Sequence, residues 1–422
     1  MNKQLFNIKK ALIKYANLAA LNLNVMRRVL ITLIAIVFTS KLVYAQGEVD
    51  ERSMIFRMNG LEINTKDSSF YANFRFRMQN RMGFYTNGGD DLGISEWDAR
   101  VRRLRLRADG YVLSPKIGYS IQLSFSRGDQ DIDNTGIANI VRDAVVFYHF
   151  TNNFYIAFGQ NKLPGNRQRV NSSGQLQFAD RSIVNSTFTV DRDFGLKAYY
   201  NNTIGSVPFR IKGAISTGEG RSVNTTDNGL AYTGRFEILP FGEFKNEGDY
   251  SEGDLEREET PKLALAGGYS YNAKTNRTGG QLGKEMYASR DMGTAIFDMI
   301  FKLRGWAYET EYMKRTADNP LTFNEDGDVR YIYAGWGNNH QISYLFKNNL
   351  ETAFRYSVIQ PEGKTAWYEK RKEVLEAGVT KYLRKHRIKG QFNLSYNTED
   401  GRWDLKDSDN YWGALFQIEL GI

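Results

Sequence analysis

The sequence contains no cysteine, only three histidines and only seven prolines in 422 residues. Without cysteine there is no disulfide scaffold, no thiolate zinc or iron–sulfur site, and no cysteine nucleophile. Three histidines exclude a histidine-rich metal centre. Long apolar runs are also missing: the most continuous one covers residues 29–38, far short of the roughly 20 residues that a membrane-spanning helix needs. What the chain has in quantity is aromatic residues, 25 Tyr and 26 Phe within a hydrophobic fraction of only 41%.

The formal charge of +8 would suggest a polyanion as partner, but its distribution argues otherwise. Arg27 and Arg28 precede the apolar run and Val43-Tyr44-Ala45 follows it, the order of regions in a secretory signal peptide. Residues 1–45 therefore read as an extended leader, with Met26 as the true start and cleavage after Ala45. All seven basic residues of this leader lack acidic counterparts, so the remaining 377 residues carry a charge of only +1. No nucleic-acid partner is expected. Residues 46–69 read as an N-terminal periplasmic segment.

From residue 70 onward the pattern has a period of two. Phe70, Ala72, Phe74, Phe76 and Met78 alternate with Tyr71, Asn73, Arg75, Arg77 and Gln79. At the other end Trp412, Ala414, Phe416, Ile418, Leu420 and Ile422 share one face, with Gln417 and Glu419 on the other. Sixteen such runs can be counted, with one at 329–346 that changes phase near Gly337 and could be two strands. The links at 114–116, 151–153, around Arg304, at 347–349 and at 383–385 are short. Those at 85–96, 127–139, 160–191, 217–229, 272–292, 314–328, 359–371 and 397–411 are long and polar.

Short and long connections in turn, with strands of about 9–11 residues, predict an all-β fold: a transmembrane antiparallel up-and-down β-barrel of about 16 strands over 70–422, with short periplasmic turns and long extracellular loops. A large secreted propeller or pair of sandwiches would show the alternation of residues but has no reason to alternate its loop lengths. The exception is the acidic stretch 240–261, which falls where a short turn belongs and is read as an extended periplasmic turn. Location in the outer membrane of a Gram-negative bacterium, after Sec export, follows.

In such a barrel the apolar face meets lipid and the polar face lines the lumen. Arg75, Arg77 and Arg81 then point inward from the first strand. The second strand changes phase at Arg102–Arg103, which one β-bulge would explain, leaving Arg100, Arg102, Arg103, Arg105 and Arg107 on the luminal side. Eight guanidinium groups along one wall could hand an anion through the pore, since arginine stays charged and grips phosphate or carboxylate in a fork. Equally, they could face acids such as Asp98, Asp109, Asp143, Asp180, Asp191 and Asp193, and merely set up a transverse field. The long connection 160–191, with Lys162, Arg167, Arg169, Asp180 and Arg181, would be the constriction if it folded into the lumen.

The segments Asp143-Ala144, Phe158-Gly159-Gln160-Asn161-Lys162-Leu163-Pro164-Gly165 and Asp191-Arg192-Asp193-Phe194-Gly195 resemble the porin O and porin P family of phosphate-selective porins. So does Arg102-Arg103-Leu104-Arg105-Leu106 followed by Asp109-Gly110. The resemblance implies a sixteen-stranded, trimeric outer-membrane barrel with an inward-folded third loop and basic walls that conduct anions such as phosphate.

The expected function is therefore passive diffusion of small hydrophilic solutes, with a preference for anions, and with neither cofactor, metal nor catalysis. Two other classes stay open. A structural or adhesive barrel would have a plugged lumen. A barrel enzyme would need His149, His340 or His386 beside a carboxylate at the rim. Asp129-x-Asp131-x-Asp133 begins like a calcium loop but has Asn134 and Ile140 where Gly and Glu belong, so a solvated acidic loop is expected.

Overall fold

The computed structural model describes residues 54–57, 60–136, 138–223 and 229–422. The leader expected over 1–45, with Met26 and Ala45, lies outside the described residues. A short hairpin comes first, β1 (Met54–Arg57) and β2 (Gly60–Asn64). The next six strands are β3 (Phe70–Thr86), β4 (Ile94–Val112), β5 (Ile117–Ser124), β6 (Val141–His149), β7 (Phe154–Lys162) and β8 (Arg192–Ile204). They are followed by β9 (Val207–Ser216), β10 (Ala231–Ile238), β11 (Lys262–Arg277), β12 (Glu285–Leu303) and β13 (Trp306–Thr316). β14 (Leu321–Phe323) and β15 (Val329–Tyr331) form a separate small hairpin. The last five are β16 (Gly335–Leu345), β17 (Leu350–Pro361), β18 (Lys372–Arg384), β19 (Ile388–Glu399) and β20 (Tyr411–Gly421).

Apart from the two hairpins, every strand pairs antiparallel with its chain neighbours. β20 closes on β3, from Gly413 opposite Tyr85 to Gly421 opposite Arg77. The result is a closed sixteen-stranded barrel, which leaves no unpaired edge in the bilayer. β2 pairs with the stretch of β3 that β20 does not reach, Leu61 opposite Phe74 through Asn64 opposite Tyr71. The run at 329–346 is two strands, β15 and β16, but they part at 332–334, and Gly337, where the pattern changes phase, lies inside β16.

Burial is inverted relative to a soluble protein. On β20, Phe416 and Ile418 are about half exposed while Gln417 and Glu419 are 1% exposed. Lys197, Lys302, Arg315, Arg355 and Lys389 are likewise buried. Apolar side chains outward and charges inward are what a lipid-embedded barrel requires.

Some strands run further than the alternation suggested: β4 and β12 have 19 residues each, so the loops expected at 85–96 and 272–292 shrink to 87–93 and 278–284. The added residues include Glu285, Ser289, Arg290 and Asp291. Strand pairing continues there without the apolar outer face that only lipid demands.

The acidic stretch requires a correction. Residues 240–261 leave the short-turn rim, but they fold into the barrel instead of projecting from it. Asp249, Glu252, Asp254 and Glu258 are each no more than 1% exposed. Leu239 and Phe244 anchor the segment apolarly against Ala264 and Ile300 on the wall. Its carboxylates look like a solvated turn in sequence because the wall groups they meet, such as Arg210, lie on strands distant in sequence.

Candidate functional site

The bulge on β4 is present where the phase change requires it. Gln79 of β3 lies opposite Arg103 and the next residue, Asn80, lies opposite Val101, so Arg102 is the extra residue. Beyond the bulge Arg105 faces Arg77 and Arg107 faces Arg75; before it Arg100 faces Arg81. Two adjacent strands thus bring eight guanidinium groups to one stretch of inner wall.

These charges do not stand free. Asp109 takes Arg75 and, at 2.6 Å, Arg107. Asp98 takes Arg81 at 2.9 Å and Arg100 at 2.8 Å. Asp129 takes Arg105 at 2.5 Å and Arg142 at 3.2 Å. Glu419 of β20 lies 3.8 Å from Arg77. Arg103 donates to Gln79 at 2.6 Å. Asp98 and Asp109 were legible as candidates; Asp129 and Glu419 were not. The solvated-loop reading of Asp129 is also corrected: it is buried between two arginines, and Asp131 bonds Arg277 at 2.6 Å.

The connection 163–191 crosses the lumen. Leu163, Val184, Phe188 and Val190 pack with Ile296, Met313 and Ile359 of the far wall. Polar contacts follow the same path: Arg167 donates to Asp298 at 2.7 Å, Asn166 to Glu311 at 3.1 Å, and the Ala179 amide to Asn393 at 2.8 Å. Lys389 donates to the Leu176 carbonyl at 2.5 Å and Arg355 to the Asp180 carbonyl at 3.1 Å. Two wall glycines leave room for it. A Cβ at Gly337 would lie 2.9 Å from Phe188, and one at Gly378 would lie 2.9 Å from Phe178.

The inserted acidic segment meets this loop from the opposite rim. Gln177 donates its amide to Glu252 at 2.8 Å, and the Glu252 amide donates to the Gln175 carbonyl at 3.0 Å. Arg167 donates to the Asp249 carbonyl at 2.8 Å.

Asp180 joins loop to arginine wall. Its carboxylate lies 2.6 Å from Arg81, 3.2 Å from Arg102 and 4.0 Å from Arg103. Burial alone would raise the carboxyl, but Arg102, Arg81 and Arg103 outweigh it and hold Asp180 well below the usual range. Arg169 pairs with Asp191, so two of the loop's acids neutralise basic groups. Lys162 and Arg181 differ. Lys162 donates to the carbonyls of Val170 at 2.6 Å and Asn171 at 3.1 Å. Arg181 donates to those of Gln168 at 2.6 Å and Asn171 at 2.9 Å. Among the described residues neither has a carboxylate within salt-bridge distance.

Among the described residues, two cavities lie between the loop and the β3–β8 wall. One, of about 340 Å³, is lined by Arg77, Arg105, Arg107, Arg142, Lys162, Arg169, Arg181 and Arg192, with Asp143 as the one lining carboxylate among the described residues. The second, of about 540 Å³, shares Arg77, Arg105 and Arg107 with the first and extends past Glu419 and Ile422 to Asp254, Glu256 and Lys385. Arg167 and Arg103 line neither cavity. Arg142 and Arg192 had not been singled out from the sequence, although the Asp191-Arg192-Asp193 segment carried part of the family resemblance.

The histidines make other contacts. His149 stacks on Tyr155, His340 Nδ1 lies 2.8 Å from the Tyr308 hydroxyl, and His386 meets Tyr382 edge-on. Among the described residues none has a carboxylate within salt-bridge distance.

Comparison with known proteins bears on the fold and the family. An uncharacterized protein of Aquifex aeolicus (strain VF5) is 23% identical over 405 residues, covering 88% of this chain and 92% of that protein. Among solved structures, the chain resembles Salmonella typhi OmpF in complex with daunomycin (TM-score 0.53, 12% identity, 87% of this chain and 100% of that one). It also resembles Pseudomonas putida OprB (TM-score 0.52, 10% identity, 84% and 95%). Residues 73–418 match the family model of phosphate-selective porin O and P. The chain therefore belongs to the phosphate-selective porin O and P family and is an outer-membrane barrel channel.

Proposed function

We propose that this channel passes small hydrophilic solutes by passive diffusion and prefers anions, phosphate among them. The observation that carries this reading is the 340 Å³ cavity, lined by seven arginines and a lysine, of which Lys162 and Arg181 have no carboxylate within salt-bridge distance among the described residues. Such a site attracts an anion and offers several donors in exchange for its water, so the solute can move from one guanidinium to the next. Within this reading Arg77, Arg105 and Arg107 link the two cavities, and Arg75, Arg81, Arg100, Arg102 and Arg103 supply background field. Lys162, Arg169 and Arg181 form the constriction, with Asp180 holding the loop in place. A homotrimer in outer-membrane lipid, and Sec export by a leader ending at Ala45, belong to the same proposal.

A second reading has its own observation: two segments enter the lumen from opposite rims and bond to each other at Gln177 and Glu252. A plugged structural barrel would look like this too. Planar-bilayer recording in asymmetric KCl, with and without phosphate, separates the two. Anion-selective conductance supports the proposal, absence of conductance supports the plug, and cation preference rejects the role given to the arginine wall.

A further inference from the structure

Inside the barrel, on the side away from the arginine wall, charge is left uncompensated. Glu252, Glu309, Glu311 and Glu351 are each 3% exposed or less. Among the described residues none of the four has a cation within salt-bridge distance. Three of them are at least hydrogen-bonded: Glu252 by the Gln177 amide at 2.8 Å, Glu311 by Asn166 at 3.1 Å, and Glu351 by the Tyr382 hydroxyl at 2.5 Å. Glu309 is not: among the described residues neither of its carboxylate oxygens has a partner.

The surroundings of Glu309 are rich in oxygen. Gln341 lies directly opposite it across the β13–β16 pair, and Ser343 lies one step further along the same face. Gln341 Oε1 and Ser343 Oγ are also buried without a partner. The amide nitrogen of Gln341 is turned the other way, toward Gln177 at 2.6 Å and Glu252 at 3.2 Å. The nearby cations bond other groups and make no ion pair with Glu309 among the described residues. Lys302 donates to the carbonyls of Gly248 at 2.7 Å and Ser251 at 2.9 Å, and Arg167 donates to Asp298. A carboxylate buried without an ion-pair partner is strongly disfavoured, so Glu309 must take up either a proton or a cation.

We propose that a calcium ion binds at Glu309, taking oxygens from its carboxylate, Gln341 Oε1 and Ser343 Oγ, with Glu252 as the neighbouring carboxylate. The donors are of three kinds and all are oxygens, a set that suits the loose coordination of calcium better than the near-octahedral demands of magnesium. Among the described residues no three acidic or imidazole groups gather into a cage, so the amide and hydroxyl oxygens are essential to the site. Because Glu252 belongs to the inserted segment 239–261 and Glu309 to the wall, the ion would fasten one to the other. The inference does not depend on which solute the pore carries.

The test uses the full chain, purified in detergent and stripped with chelator, titrated with calcium chloride alone. Calorimetry and uptake of radiolabelled calcium should give one ion per chain, with a thermal midpoint that rises as calcium is added. Glu309→Gln should abolish uptake and the calcium-dependent shift while the barrel still folds. Ser343→Ala, which preserves charge, should weaken binding several-fold and leave the midpoint in chelator unchanged. Absence of uptake, or uptake unchanged in Glu309→Gln, overturns the proposal. So does an infrared band of a protonated carboxyl that persists in calcium and vanishes in Glu309→Gln, since protons would then supply the missing charge.

Discussion

Arg81 and Asp180 meet at 2.6 Å, one on the barrel wall and the other in the loop that crosses the lumen. Arg102 and Arg103 turn to the same carboxylate, so a single acid fastens the loop to the arginine wall and cancels part of its field. Asp180→Asn keeps the shape and removes the charge. It should shift reversal potentials toward anions and increase open-channel noise, at a stability cost of about 1–2 kcal/mol. A shift toward cations would show that Asp180 does not screen the pathway.

The pH dependence of this contact follows from the direction of the Asp180 shift. Its carboxyl is depressed in the folded state, whereas an unfolded aspartate titrates at about 3.9. The stabilisation is therefore complete above that value and is lost only as pH falls through the lower, folded pKa. Between pH 8 and pH 5 the wild-type and Asp180→Asn thermal midpoints should differ by a constant amount, and should converge only in strong acid. A gap that closes near pH 6 contradicts the assignment.

Lys162 and Arg181 should matter more for selectivity than the buried arginines of the wall. Both line the 340 Å³ cavity and, among the described residues, bond only to carbonyls, which leaves their charge available to a solute. Arg103 is 3% exposed, bonds Gln79 and lines neither cavity. Lys162→Met or Arg181→Met should therefore lower the chloride-to-potassium permeability ratio clearly, and Arg103→Met only slightly. The reverse ranking, read from reversal potentials in a KCl gradient, would place the pathway along the upper wall instead.

Gly378 provides a steric handle on the loop. Phe178 packs against the face of Gly378 and stacks under the Arg355 guanidinium at 4.2 Å. Gly378→Leu fills that space from the wall side, so the loop must move while the barrel strands keep their pairing. Larger conductance with retained heat-resistant folding on gels is expected. Conductance identical to wild type would mean that the loop does not limit flow.

The barrel was legible in sequence because lipid imposes a period-two rule on every strand, and runs such as Phe70–Met78 and Trp412–Leu420 obey it. The bulge at Arg102 was legible for the same reason, since a phase error of one residue on β4 would place arginine in lipid. The lumen follows no such rule. Asp129, Glu419 and Glu252 read as ordinary polar residues because their partners Arg105, Arg77 and Gln177 lie on other elements. Inside a polar lumen a docked loop and a solvated loop have the same composition, so neither insertion could be inferred from residue type.

The acidic insertion can be tested by removal. Residues 245–256 carry Asp249, Tyr250, Glu252 and Asp254, which contact Arg210, Lys212, Gln177 and the Gly305 amide. Replacing them with a short Gly-Ser turn leaves β10 and β11 paired, because Leu239 and Lys262 bracket the excised stretch. If the segment partly blocks the lumen, single-channel conductance should rise and the thermal midpoint fall, since loop 163–191 loses its support at Gln175 and Gln177. The loss of five carboxylates (Glu247, Asp249, Glu252, Asp254 and Glu256) against one lysine, Lys245, should at the same time move selectivity further toward anions. Unchanged conductance with a lower midpoint would make the segment a structural brace alone, and the arginine-lined cavities would carry all the flow.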